Sequence, residues 1–117
     1  MKKEPIIFIE HILDSIGRIE SYTRNLTKEK LTKNVKIQDA VIRRIEVIGE
    51  AAKNLPTDFR NKYSAIEWSD IIRTRDKITH HYFGVDLDIV WDIVKKNLPD
   101  LKEKIKAILE ESQGNKK

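Results

Sequence analysis

The chain has 117 residues, three histidines, no cysteine, and 23 Lys+Arg against 19 Asp+Glu, a formal charge of +4. That length supports one shared hydrophobic core, and the missing cysteine excludes disulfides, thiolate metal sites and a cysteine nucleophile. The basic excess leans mildly toward a polyanionic partner, and with nothing marking the chain for export the expected location is the cytoplasm.

Apolar residues recur at three- and four-residue steps, and Gly and Pro number only four and three, the pattern of amphipathic helices rather than strands. Ile9, Ile12, Leu13, Ile16 and Ile19 form a first stripe and predict a helix over about 5–25. Glu10, His11 and Asp14 interrupt its apolar run before a signal-peptide core is reached, and no stretch offers the ~20 apolar residues of a membrane helix. Thr27 to Asn34 carries no sustained stripe and reads as a mobile connection.

Ile37, Val41, Ile45, Ile48, Ala52 and Leu55 predict a second long helix over about 36–54. Gly49 inside it costs about 1 kcal/mol relative to Ala, which a close approach of a neighbouring helix would explain. Pro56 ends that helix, Thr57 is placed to cap a short turn through Phe59 and Tyr63, and Ser69 to cap the next helix. That helix carries Ile71, Ile72, Ile78 and Tyr82 and should stop near Gly84; Asp86 then caps a last helix through Val90, Trp91, Val94 and Leu98. Pro99 must kink or break it before Leu101, Ile105 and Ile108 resume the stripe. The expected fold is all-α, a four- to five-helix up-and-down bundle in a single domain over 1–117, with its core at about 5–110 and a frayed tail from Gly114.

The densest cluster of functional groups is Arg75-Asp76-Lys77-Ile78-Thr79-His80-His81-Tyr82. At about 100° per residue, Arg75 and Tyr82 lie within about 20° of each other, and Ile71, Ile72 and Ile78 within about 60° of Arg75. A guanidinium in an apolar stripe must meet an anion, a polar cleft or a partner subunit. His80 lies about 140° from Arg75, so either the helix end deviates or two copies build the site together. A two-fold dimer through this helix would gather two Arg and two His in one cleft. Histidine can move a proton to or from a ribose 2′-OH or a leaving 5′-oxygen, while arginine holds the phosphate. The purely structural alternative pairs Arg75 with Glu46 or Glu50 and leaves His80 as a polar helix end.

Other candidates are weaker. His11 reads as solvated; His81 faces solvent or shares proton or metal chemistry; His80-His81 lacks zinc spacing, so neither metal nor cofactor is expected. Trp68 and Trp91 read as packing anchors, and Lys102, Lys104, Lys106, Lys116 and Lys117 as a solvated face that could also follow an RNA backbone.

Arg75 to Tyr82 resembles the R-x-x-x-x-H-x-Y motif of HepT-like proteins of the HEPN superfamily, the toxin partners of MNT nucleotidyltransferase antitoxins. Val41 to Leu55, VIRRIEVIGEAAKNL, is similar to that family's second-helix signature. Trp68, Ile71 and Ile72 before the motif, and Tyr82 to Asp86, Trp91 and Leu98-Pro99 after it, extend the likeness over most of 5–110. The resemblance implies a metal-independent endoribonuclease of a type VII-like toxin–antitoxin pair, acting as a homodimer, with Arg75 and His80 catalytic and Tyr82 AMPylated by the antitoxin. Two departures stand out: Asp76 where the family often has Asn, and the bulky His81 where it often has a small residue. Two alternatives are a non-catalytic HEPN subunit that presents a nucleotide or RNA surface to a nucleotidyltransferase, and a helical dimer in which the cluster only packs the interface.

Overall fold

The computed structural model describes residues 4–79 and 86–114, with the side chains of Arg75 and Thr79 outside that description. His80, His81, Tyr82, the expected stop at Gly84 and the tail beyond Gly114 lie outside it as well. Among the described residues the fold is all-α: α1 Pro5–Thr23, α2 Lys28–Lys33, α3 Val35–Lys53, α4 Thr57–Lys62, α5 Trp68–Thr79, α6 Leu87–Asp92 and α7 Leu98–Gly114. The long α1, α3, α5 and α7 form the bundle expected from periodicity, and α2, α4 and α6 are short connecting helices.

The α1 stripe is the core's backbone. Pro5 opens the helix, and Ile9, Ile12 and Ile16 are completely buried, with Ile19 at 1% exposure, against α3 and α7. Removing an isoleucine side chain from water contributes roughly 2 kcal/mol. Helix α1 ends at Thr23, and Asn25 takes a left-handed φ of 60° that turns the chain toward α2; Asn tolerates that conformation better than most residues.

Three local expectations are corrected. The 27–34 segment is not a featureless connection: Thr27 Oγ1 accepts from Lys30 N at 3.1 Å, Leu31 is buried, and Gln38 Nε2 donates to Leu31 O at 2.8 Å. One apolar anchor and a good cap suffice for a six-residue helix, which a periodicity search needing several turns misses. Thr57 is the first residue of α4 rather than its cap, Pro56 occupying the N-cap without a side-chain bond. Ser69 lies inside α5, because Trp68 already begins that helix with its ring buried and Nε1–H donating to Tyr63 O at 3.1 Å.

Asp86 caps α6 as expected, its Oδ1 accepting from Asp88 N at 3.0 Å and Ile89 N at 3.2 Å. At Pro99 the helix does not break; the turn ahead of it widens. Residues Ile93–Asn97 form a π-helical turn, and Leu98 N–H reaches back to Ile93 O. The wider turn accommodates the amide hydrogen that proline lacks. Beyond it, Leu98, Leu101, Ile105 and Ile108 return to the core.

Candidate functional site

The first part of the motif, Arg75 to Thr79, lies on α5, and α5 is fixed at three points. Trp68 anchors its start, and Ile78, fully buried, anchors its end. In the middle α5 lies against α3 at Gly49, where a β-carbon would sit 3.4 Å from Ile71 O and 3.7 Å from Ile72 O. The backbones of α3 and α5 thus come close at Gly49, though a single β-carbon there would make only ordinary contacts. Arg75 stands one turn beyond Ile71, on a helix whose position α3 dictates.

The exit from α5 is tied as well. Asp86 N donates to Ile78 O at 3.1 Å, so the two ends of the segment containing His80, His81 and Tyr82 are held together. The same Asp86 starts α6 through its side chain. The structure therefore describes the frame around the expected catalytic residues, while the Arg75 guanidinium and residues 80–85 lie outside the described set. Of the supporting candidates, Asp76 is exposed on α5 and Glu50 exposed on α3; Glu46 is half-buried. His11 is exposed, Trp68 is buried, and half-buried Trp91 carries Lys95 Nζ 4.8 Å from its ring centroid.

Beside α5 runs a groove of about 410 Å³ between α3, α5 and the α6–α7 arm. Its floor is apolar, with Ile45 and Ile48 from α3, Ile71 from α5, and Ile89 and Ile93 from the arm. Its rim is mainly acidic: Glu67, Asp70, Asp92 and Asp100 against Lys77 and Lys104. Asp70 Oδ1 lies 3.3 Å from Arg73 Nη2 and 3.6 Å from Lys77 Nζ. Hydrogen bonding with Glu67 first, then with Arg73 and the charge of Lys77, holds the Asp70 carboxyl below its ordinary value. An apolar floor with a carboxylate rim suits a protein surface and repels a polyanion. Sequence reading missed this groove, because it arises where the widened turn before Pro99 meets α5; Thr74 and Lys77, one turn apart on α5, were its faint signal.

The α7 lysines are partly engaged. Lys102 Nζ binds Glu20 Oε1 at 2.9 Å, and Lys104 Nζ binds Asp100 Oδ2 at 3.1 Å and Ala65 O at 3.3 Å. No group of three or more His, Cys, Asp or Glu among the described residues could hold a metal ion, and none of their helices is long and apolar enough to cross a membrane.

Comparison with known proteins bears on the same stretch. A family model described as Ribonuclease HepT-like matches residues 12–108. A protein of Methanocaldococcus jannaschii named "Gamma-glutamylcyclotransferase and putative RNase" is 50% identical over 116 residues, 99% of this chain and 52% of the relative, so the chain spans about half the length of that protein. "Probable ribonuclease HepT" of Thermococcus cleftensis is 42% identical over 108 residues, 92% of this chain and 98% of the relative. No solved structure matches the chain.

Proposed function

The chain belongs to the HepT-like ribonuclease family of the HEPN superfamily, and from that premise we propose that it is the toxin of a toxin–antitoxin pair, a metal-independent endoribonuclease working as a homodimer in the cytoplasm. Arg75 and His80 are its catalytic residues. The observation that carries the reading is the coincidence of the family match with a motif helix positioned by Gly49 and Ile78, beside an open apolar groove.

The chemistry needs only these two residue types, with a histidine from each protomer. His80 takes the proton from a ribose 2′-OH, the 2′-oxygen bonds to phosphorus, and the P–O5′ bond breaks. The products are a 2′,3′-cyclic phosphate and a 5′-OH, the leaving oxygen receiving a proton from an imidazolium, which the two-fold partner supplies. Arg75 holds the non-bridging oxygens through two parallel N–H bonds as their charge grows. No cofactor takes part in any step.

A second copy covers the groove. Its apolar floor, continuous with the face of α5 one turn from Arg75, is the surface through which two protomers bring their motifs together. Tyr82 is the control point: an MNT-type nucleotidyltransferase antitoxin esterifies its phenol with AMP, placing phosphate charge and bulk where RNA must lie. Exposed Asp76 lowers the local positive potential and slows turnover relative to relatives with Asn there.

Expression of the chain alone should arrest growth, and co-expression with the antitoxin should relieve it. Intact mass should then rise by whole AMP units in the native chain and stay unchanged in Tyr82→Phe. Relief of toxicity without added mass refutes the Tyr82 assignment, and RNA binding without cleavage points instead to a non-catalytic subunit.

A further inference from the structure

The positive charge of this protein is concentrated in one place. Residues 24–36 carry Arg24, Lys28, Lys30, Lys33 and Lys36 against the single carboxylate Glu29, leaving eighteen basic and eighteen acidic residues elsewhere. The whole formal excess of +4 therefore sits on thirteen residues, comprising α2 and its flanks. All five cations are exposed, and within α2 only Leu31 is buried.

Two of the five are engaged. Lys33 Nζ meets Glu29 Oε1 at 3.0 Å, and Lys28 Nζ meets Asp88 Oδ1 at 2.6 Å. Among the described residues Arg24, Lys30 and Lys36 make no ion pair. The Lys28 contact fixes where the cluster lies: Asp88 is two residues past Asp86, whose amide ties off the segment bearing His80 and Tyr82. The basic strip thus starts beside the first turn of α6, which follows the motif segment in the chain; Asp92, on the rim of the acid-edged groove, also acts on Lys28.

We propose that the α2 strip is an RNA-backbone track, in which Arg24, Lys30 and Lys36 hold phosphates flanking the scissile bond. The inference rests on the ribonuclease reading and extends it from the cleaved phosphodiester to its neighbours. The six helical residues of α2 cover about 9 Å, and Arg24 and Lys36 extend the strip beyond its two ends. Lysine is depleted in protein interfaces, which need an apolar centre, whereas phosphate contacts need only charge. The track reads no bases, so it adds affinity without sequence preference.

The test uses the full chain carrying His80→Ala, so that RNA survives, and a mixed-sequence single-stranded oligoribonucleotide. Its affinity is measured between 50 and 200 mM salt with and without Arg24→Gln, Lys30→Gln and Lys36→Gln combined. Three lost phosphate contacts should flatten the log–log salt dependence by about 2, so the parent loses about 20-fold more affinity than the triple variant over that range. Lys30→Arg with Lys36→Arg should retain the parent slope, and thermal melting should coincide throughout. An unchanged slope and affinity in the triple variant, with wild-type protein still cleaving RNA, overturns the track and leaves the nuclease standing. Absence of both RNA binding and cleavage in the wild type overturns both.

Discussion

Substitution of Gly49 separates helix propensity from helix approach. An alanine β-carbon would lie 3.4 Å from Ile71 O and 3.7 Å from Ile72 O, at ordinary contact distance. Alanine also removes glycine's helix penalty of about 1 kcal/mol, so Gly49→Ala should be stabilising by up to about 1 kcal/mol, raising Tm by about 4 °C. Valine puts two further carbons about 1.5 Å beyond that position, toward backbone oxygens that cannot rotate away. The overpacking costs about 1–3 kcal/mol, and the propensity gain offsets only about 0.4 of it. Gly49→Val should therefore melt several degrees below the parent, and displacement of α5 should lower RNA cleavage about tenfold or more even where the protein is folded. Circular dichroism melts and a gel-based cleavage assay on the two variants decide the matter. Valine matching alanine in both readouts would refute the claim that α3 sets the position of the motif helix through this contact.

Other perturbations act on the frame of the motif. Asp86→Ala removes the acceptor for Asp88 N and Ile89 N and should cost about 1 kcal/mol, with faster amide exchange at the start of α6 as its local signature. Ile78→Ala, at a fully buried site, should cost about 2–5 kcal/mol in a denaturant melt. Asp70 is held below the ordinary carboxylate value of 3.8, so its stabilising contribution is present above that value and lost as pH falls through the lower folded one. Asp70→Asn should then melt below the parent at neutral pH, the difference closing in acid; a gap that widened on acidification would contradict the assigned direction.

The long helices were legible because each repeats a branched aliphatic residue every three or four positions, as Ile9, Ile12, Ile16 and Ile19 do in α1. Helix α2 escaped because its only buried anchor is Leu31, and its other support, the Thr27 cap, has no period. Likewise Pro99 announced a disturbance but not its form, since whether a helix breaks or widens depends on what Val94 and Leu98 pack against. Gly49 was readable as a close approach, though only the fold identifies Ile71 and Ile72 as the backbone approached. The motif stands out in the sequence as a dense cluster of functional groups. The groove beside them was not, for it joins α3, α5 and α6–α7 across long stretches of chain. The basic strip is legible in composition, with five cations against one carboxylate in 24–36, but it has no helical period, being spread over the end of α1, α2 and the start of α3.

Cleavage of an RNA substrate in excess EDTA by the purified chain, with Arg75→Ala and His80→Ala assayed beside it, tests the central claim most directly. The wild type should yield 2′,3′-cyclic phosphate ends, and each variant should lose about 100-fold or more in rate while melting at the parent temperature. Undiminished cleavage by both variants, or cleavage that stops in EDTA, would contradict it.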